Sequence, residues 1–291
     1  MSIGSLRSLD SDWSDYIGRH QVDKDFIDAN RARALHGTLG TPGPEPVIGD
    51  ELSPLGHWLY FWEVKPPHEL SADGHAIRGD FLPPLPLPRR MWAGSRVRFL
   101  KPLLIGSSAW RKATIANVQV KSGSSGRLAI VTVRYEIGTD QTVCILDEQD
   151  IIYREPSPIK VDARPAADER PPETVVDRAM RVNAVTLFRY SALTFNGHRI
   201  HYDRGYAMHE EQYPGLVVHG PLLATLMVRA ASEAEPKAQI RSFSFKAGSP
   251  IFDTDEFRIM AHRPSTAENV VHTCVINPRG KIAFSGFASF G

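Results

Sequence analysis

The segment Leu216-Val-Val-His-Gly-Pro-Leu-Leu-Ala-Thr-Leu-Met-Val-Arg-Ala-Ala-Ser-Glu233 decides how the chain is read. Pro221 sits just inside its start, where a helix has no use for the missing N–H. From Pro221 to Glu233 neither Gly nor Pro interrupts the pattern, so a long amphipathic helix is predicted. The texture then changes. Ile240-Arg-Ser-Phe-Ser-Phe-Lys246, Asp255 to Ala261, Asn269 to Ile276 and Lys281 to the end read as strands, and Asn277-Pro-Arg-Gly280 as the turn between the last pair. A helix ahead of a meander of strands, with no β-α-β alternation, predicts an α+β fold whose sheet wraps the helix.

The same order stands earlier in the chain. Residues 10 to 36 read as two short helices, the first capped by Asp10 and Ser11 and the second presenting Val22, Phe26, Ala29, Arg33 and Ala34 near one face. A Gly- and Pro-rich loop covers 39 to 50. The aromatic run Gly56-His-Trp-Leu-Tyr-Phe-Trp62 reads as a buried helix, and 79 to 88 as a second Pro-rich loop. Strands are expected at Arg96–Leu100, Thr114–Val120, Leu128–Glu136 and Thr142–Tyr153, with the Ser/Gly cluster 121 to 127 as a hairpin loop. Residues 156 to 172, rich in Pro, Ala and charge, form the natural linker. Thr174 to Leu193 reads as a helix that opens the second unit. The chain thus divides into 1–155, a linker 156–172, and 173–291, two similar layers side by side.

Composition excludes several classes. The 291 residues carry 34 Lys and Arg against 33 Asp and Glu, a net charge of +1, so nothing favours nucleic acid or an anionic membrane. No run approaches the length of a membrane span, and the first residues lack the apolar core of a signal peptide. Cys144 and Cys274 lie in strand-like apolar runs and read as buried free thiols of a reducing compartment. A cytoplasmic protein is expected. Nucleotide-binding and serine-nucleophile motifs are absent.

Chemistry concentrates in Thr194-Phe-Asn-Gly-His-Arg-Ile-His201, a polar turn between apolar segments. His198 and His201 are three apart, which puts both on one side of a helical segment. Imidazole exchanges protons near neutral pH, so one of them suits acid–base work. Each can equally be a structural histidine. Zinc would need further ligands, with His209 and His219 the nearest. His219-Gly220-Pro221 opens the long helix. Its first N–H groups are unpaired and positive, which suits a developing oxyanion, and with Pro221 lacking a donor Gly220 would supply it. The same residues also suit an ordinary loop-to-helix junction.

Leu193-Thr-Phe-Asn-Gly-His-Arg-Ile-His201 resembles the motif Leu-Ser/Thr-Gly-Asp-x-Asn-Pro-Ile-His of the MaoC-like, or hydratase-2, enoyl-thioester hydratases. Extended to Tyr202 and Asp203, it is closer to a single-chain, double hot-dog branch. That branch includes mesaconyl-C4-CoA (itaconyl-CoA) hydratases and the yeast-type 3-hydroxyacyl-thioester dehydratase. Tyr213 to Leu222, Phe243-Ser-Phe-Lys-Ala247, Pro250-Ile-Phe-Asp253 and Leu87-Pro-Arg-Arg-Met-Trp-Ala-Gly-Ser-Arg96 are similar to the same branch. The resemblance implies a double hot dog that binds an acyl-CoA or acyl-carrier thioester between its halves, without metal or cofactor. It implies His201 as catalytic base and Gly220 as the donor to the thioester oxygen. The first half would shape the acyl pocket. Asn196 replaces the wider family's Asp, and His198 fills that motif's Asn position. An amide cannot shuttle a proton at neutral pH. His201 should then carry the proton, Asn196 should position water, and His198 and Asp203 are candidates to assist. His198, Arg199 and His219 are the expected substrate-binding residues, Arg199 and His198 for a substrate carboxylate. A hydratase for a short branched dicarboxylic acyl-CoA, acting as a homodimer, heads the expectations. A linear 3-hydroxyacyl-thioester dehydratase and a silent acyl-thioester binder are the alternatives.

Overall fold

The computed structural model describes residues 7–123, 126–155, 171, 173–264 and 268–291; the expected linker 156–172 lies, Pro171 apart, outside them. Ten strands form one antiparallel sheet: β1 (His20–Phe26), β2 (Arg89–Phe99), β3 (Ser108–Gly123), β4 (Gly126–Thr139), β5 (Thr142–Arg154), β6 (Thr174–Met180), β7 (Ile240–Ala247), β8 (Phe257–His262), β9 (Val270–Ile276) and β10 (Ile282–Phe290). The helices are α1 (Ala29–Thr38), α2 (Ala184–Thr194) and α3 (Gly220–Ala234). The sheet order is β1-β3-β4-β5-β2-β7-β10-β9-β8-β6. Read from the centre outward, the two halves repeat each other: β2-β5-β4-β3-β1 on one side, β7-β10-β9-β8-β6 on the other. This is the double hot dog. The halves join by backbone pairing from Gly94↔Lys246 to Arg98↔Ser242.

Helix α3 is the centre of the second half. Ten of its residues are buried, among them Leu222, Leu223, Met227 and Val228, so the sheet must close around it rather than lie on one side. Each such aliphatic side chain contributes ~1.5–3 kcal/mol by leaving water. The first half has no equal to it. In chain order its place, between α1 and β2, is taken by two 3-10 turns, Gly56–Leu59 and Pro67–Glu69. The expected aromatic helix is therefore one turn long. His57, Trp58, Ser95 and Gln149 instead donate to the carboxylate of Asp147, which is fully buried. Those donors hold the carboxyl below its ordinary range although burial opposes ionisation.

Two stretches expected as helix are strands. His20–Phe26 pairs with β3 from His20↔Thr114 to Phe26↔Ser108, and Thr174–Met180 pairs with β8. Both are sheet-edge strands. Among the described residues before β1, a 3-10 turn, Ser14–Tyr16, stands in place of the first expected helix. Both cysteines are free and buried. Among the described residues no helix is long and apolar enough to cross a membrane.

Candidate active site

Helix α2 is capped by Asn183, whose side chain accepts from Thr186 N–H at 3.0 Å, and ends where Phe195 turns left-handed, φ 51°. Asn196 Oδ1 then accepts from His198 N–H at 3.0 Å, tightening the chain into the 3-10 turn Arg199–His201. In such a turn residues three apart eclipse, and the rings of His198 and His201 lie 5.5 Å apart at 88°.

His201 is buried. Its Nδ1 lies 2.7 Å from the carbonyl oxygen of Val217, an acceptor only, so Nδ1 carries the proton and Nε2 keeps its lone pair. Burial pushes its pKa down to about 4, against the bond to Val217, which works the other way. The ring stacks on His219 at 3.7 Å and 18°. His219 is the residue from which α3 starts, and Ser191 of α2 holds its Nε2 at 2.8 Å. Burial keeps His219 neutral too. The His201 ring therefore lies on the doorstep of α3. The next residue, Gly220, has an N–H without an acceptor among the described residues. In front of Gly220 stand Trp92 and Phe284, 3.8 and 3.7 Å from where a Cβ would be. Trp58 and Phe245 extend that aromatic wall, 4.8 and 5.1 Å from Trp92 between ring centres. The wall is built by both halves, because β2 and β7 are neighbours.

A segment of the first half docks on the histidine turn. Asp73 O accepts from Arg199 N–H at 2.9 Å, and Ala72 O from the Arg199 guanidinium at 3.0 Å. Gly74, φ +92°, comes so close that a Cβ there would be 1.9 Å from Gly197 O; only glycine fits. The docking brings Asp73 and His75 into the site. Asp73 Oδ2 holds His75 Nδ1 at 2.9 Å, and the His75 ring lies 4.2 Å from that of His198. Burial lowers the pKa of both histidines, His198 to about 2. Burial opposes ionisation of Asp73 as well, but hydrogen bonds from His75 and Ser71 hold its carboxyl well below its usual range. Sequence reasoning missed this pair. The Asp-Gly turn at 73–74 was its only local signal.

The structure thus gathers His198, His201, His219 and Gly220. Asn196 stands on the same turn, its Oδ1 committed to His198 N–H. Arg199 differs from expectation. Its side chain is 38% exposed and bound to Asp203 at 2.8 Å, so its charge is already matched. Asp203 is spent on that pair and on Tyr206 N–H. His209 is exposed. Among the described residues, Asp73, His75 and His198 are the one group with converging metal-type donors, within 4.8 Å of one another. Asp73 and His75 already satisfy each other there.

Comparison with known proteins follows the same lines. The family model for hydroxyacyl-thioester dehydratase type 2 matches residues 54–253. The mesaconyl-C(4)-CoA hydratase of Chloroflexus aurantiacus is 48% identical over 257 residues, 88% of this chain and 90% of that protein. A solved MaoC-like dehydratase superposes with a TM-score of 0.69 at 11% identity, covering 95% of this chain and 98% of the other. A Mycobacterium tuberculosis protein described as having a double hot-dog fold gives 0.55 at 12% identity, covering 94% and 96%. The last two likenesses concern the fold alone.

Proposed function

Because the chain belongs to the hydroxyacyl-thioester dehydratase type 2 family, and so to the hydro-lyases, we propose that it reversibly hydrates a short, branched, dicarboxylic enoyl-CoA of the mesaconyl-C4-CoA kind to the 3-hydroxyacyl (citramalyl) thioester. One observation carries the mechanism: a neutral imidazole, its tautomer fixed by Val217 O, lies against the residue that precedes an unpaired helix N–H. The Gly220 N–H binds the thioester oxygen and draws charge from the double bond, so the β-carbon becomes electrophilic. His201 Nε2 takes a proton from water as the oxygen bonds to the β-carbon. The π electrons move to the thioester oxygen as an enolate. The proton on Nε2 then returns to the α-carbon, and the ring is neutral again. The Asn196 amide N–H₂ positions the water. The second half, 173–291, carries this chemistry, and the first, 1–155, supplies the acyl pocket through Trp58 and Trp92.

His201→Ala tests the reading. Hydration followed by loss of the conjugated-thioester absorbance should fall at least 10³-fold, with circular dichroism and melting behaviour near wild type; full retained activity would remove the base. The runner-up, favoured by the family's description, is dehydration of a linear 3-hydroxyacyl thioester, and an acyl-length series separates the two. A cytoplasmic homodimer is part of the same reading. Light scattering on the purified chain measures the second half of it.

A further inference from the structure

Arg199, the cation nearest the catalytic histidine in sequence, is neutralised by Asp203. A dicarboxylic thioester still brings a free carboxylate into the site, and that carboxylate needs a donor. Strand β2 offers one. Along β2 the side chains alternate between faces. Trp92 points inward, onto the Gly220 doorstep. Met91 points out and is exposed. Arg90, two residues before Trp92, therefore shares the inward face. It sits opposite Tyr153 of β5, which is fully buried and whose hydroxyl lies within reach of the Arg90 guanidinium.

The charges around Arg90 do not balance. Arg89 is paired with Glu211 at 3.2 Å. Arg78 lies over the Tyr153 ring at 5.1 Å, and its guanidinium is held by the carbonyls of Leu85, Leu87 and Pro88. Asp73 is committed to His75 and Ser71. Among the described residues Arg90 has no ion pair, although it is half-buried. Its charge reaches both His75 and His198 and disfavours their protonation. A half-buried guanidinium whose neighbour is a neutral hydroxyl and not a counter-ion is costly unless an anion completes it.

Resting on the hydratase reading above, we propose that Arg90, with the Tyr153 hydroxyl beside it, binds the free carboxylate of the substrate and makes the enzyme selective for dicarboxylic acyl thioesters. In a mesaconyl-type substrate that carboxylate sits on the β-carbon. With the thioester oxygen on Gly220 N–H and the β-carbon towards His201, the carboxylate projects past the histidines, on the side where Arg90 stands. A guanidinium holds a carboxylate through two parallel N–H bonds, which also fixes the face of the double bond that water meets. His75 and His198, kept neutral, leave the carboxylate to Arg90.

The test uses binding, so it does not depend on turnover. Methylsuccinyl-C4-CoA and isovaleryl-CoA are saturated and differ only in a carboxylate against a methyl. Calorimetry should find the wild type binding the first at least about 30-fold more tightly, in keeping with a buried charge-assisted pair. Arg90→Met should bring that ratio close to one while the Kd of isovaleryl-CoA stays within about threefold, a change a merely structural role would not produce. Arg90→Lys keeps the charge but loses the fork, and should fall between; it decides the matter if the Met variant does not fold. An unchanged ratio in the folded variants, equal weakening of both ligands, or a wild type without preference would overturn the assignment. Failure of the hydratase reading would look different: no hydration of any enoyl-CoA by the wild type, whatever the binding ratio.

Discussion

A base must be unprotonated at its working pH, and His201, the base we propose, is buried in a way that keeps it so. Burial holds it at about 4, so the acid limb of kcat/KM should set in only as pH approaches that value, well below the 6.5 of a free imidazole. A pH profile of hydration from 4 to 9 measures it; a limb centred near 6.5 would mean that the ring is hydrated in the working enzyme. The same burial acts on stability. A histidine with a depressed pKa binds fewer protons folded than unfolded between its folded value and about 6.5. Stability should therefore fall as pH drops from about 6.5 towards 4. His75, His198 and His219 push in the same direction. Urea midpoints at pH 7.5 and pH 5 should differ, and less so in His201→Gln. Gly220 gives a separate handle. A methyl there would meet Phe284 and Trp92 at ordinary contact distances of 3.7 and 3.8 Å. Gly220→Ala should thus fold as well as wild type, with helix propensity adding up to about 1 kcal/mol. Its methyl would stand between the N–H and the aromatic wall, and KM for the thioester should rise about tenfold or more.

At the scale of elements, the first half sets a buried, hydrogen-bonded carboxylate beside an apolar cluster of Leu85, Leu87, Ile115, Val131 and Val133, where the second has a central helix. Asp147 faces donors from His57, Trp58, Ser95 and Gln149. Asp147→Asn would set two new N–H donors against these and keep one acceptor oxygen. It should cost about 3–5 kcal/mol in urea unfolding. Arg96, paired with Glu148 and Asp150 on the outer face and 46% exposed, should cost under about 1 kcal/mol when cut to Ala. The contrast tests whether burial, and not the number of charge pairs, sets the value of each. Elements also differ in how plainly the sequence announced them. Helix α3 and strands β2 to β5 and β7 to β10 were legible because burial imposes their patterns. Strands β1 and β6 were not. They lie at the sheet edges, paired on one side only; Val22 and Phe26 are exposed, and β6 runs almost directly into α2. A strand that buries little carries little pattern, and backbone pairing leaves no mark on side-chain order. The histidine turn was legible by motif. Asp73 and His75 were not, because their place depends on a contact between Gly74 and Gly197, far apart in the chain, that no local pattern records.

At the scale of the whole molecule, the pseudo-symmetry ends where function begins. Both halves build a five-stranded layer, but only the second fills its layer with a full helix. In its place the first has short 3-10 turns, and Trp58 from one of them packs on Trp92, which faces Gly220 across the β2–β7 seam. If the site truly needs both layers, the second half alone should be inactive although it contains His201, Asn196 and Gly220. Separated from its partner, it would also expose β7 as an open edge, and the first half would expose β2, each with apolar Phe243, Phe245 or Val97 behind it. Open edges of that kind pair with whatever strand they meet. Residues 1–155 and 173–291 produced separately should therefore aggregate and show no hydratase activity, whereas the two produced together should co-purify as one particle and recover it. Chromatography and the thioester assay on the three preparations read this directly. A monomeric, active 173–291 would mean that the docked Asp73–His75 segment and the tryptophan wall are dispensable. The acyl pocket would then have to lie within the second half alone.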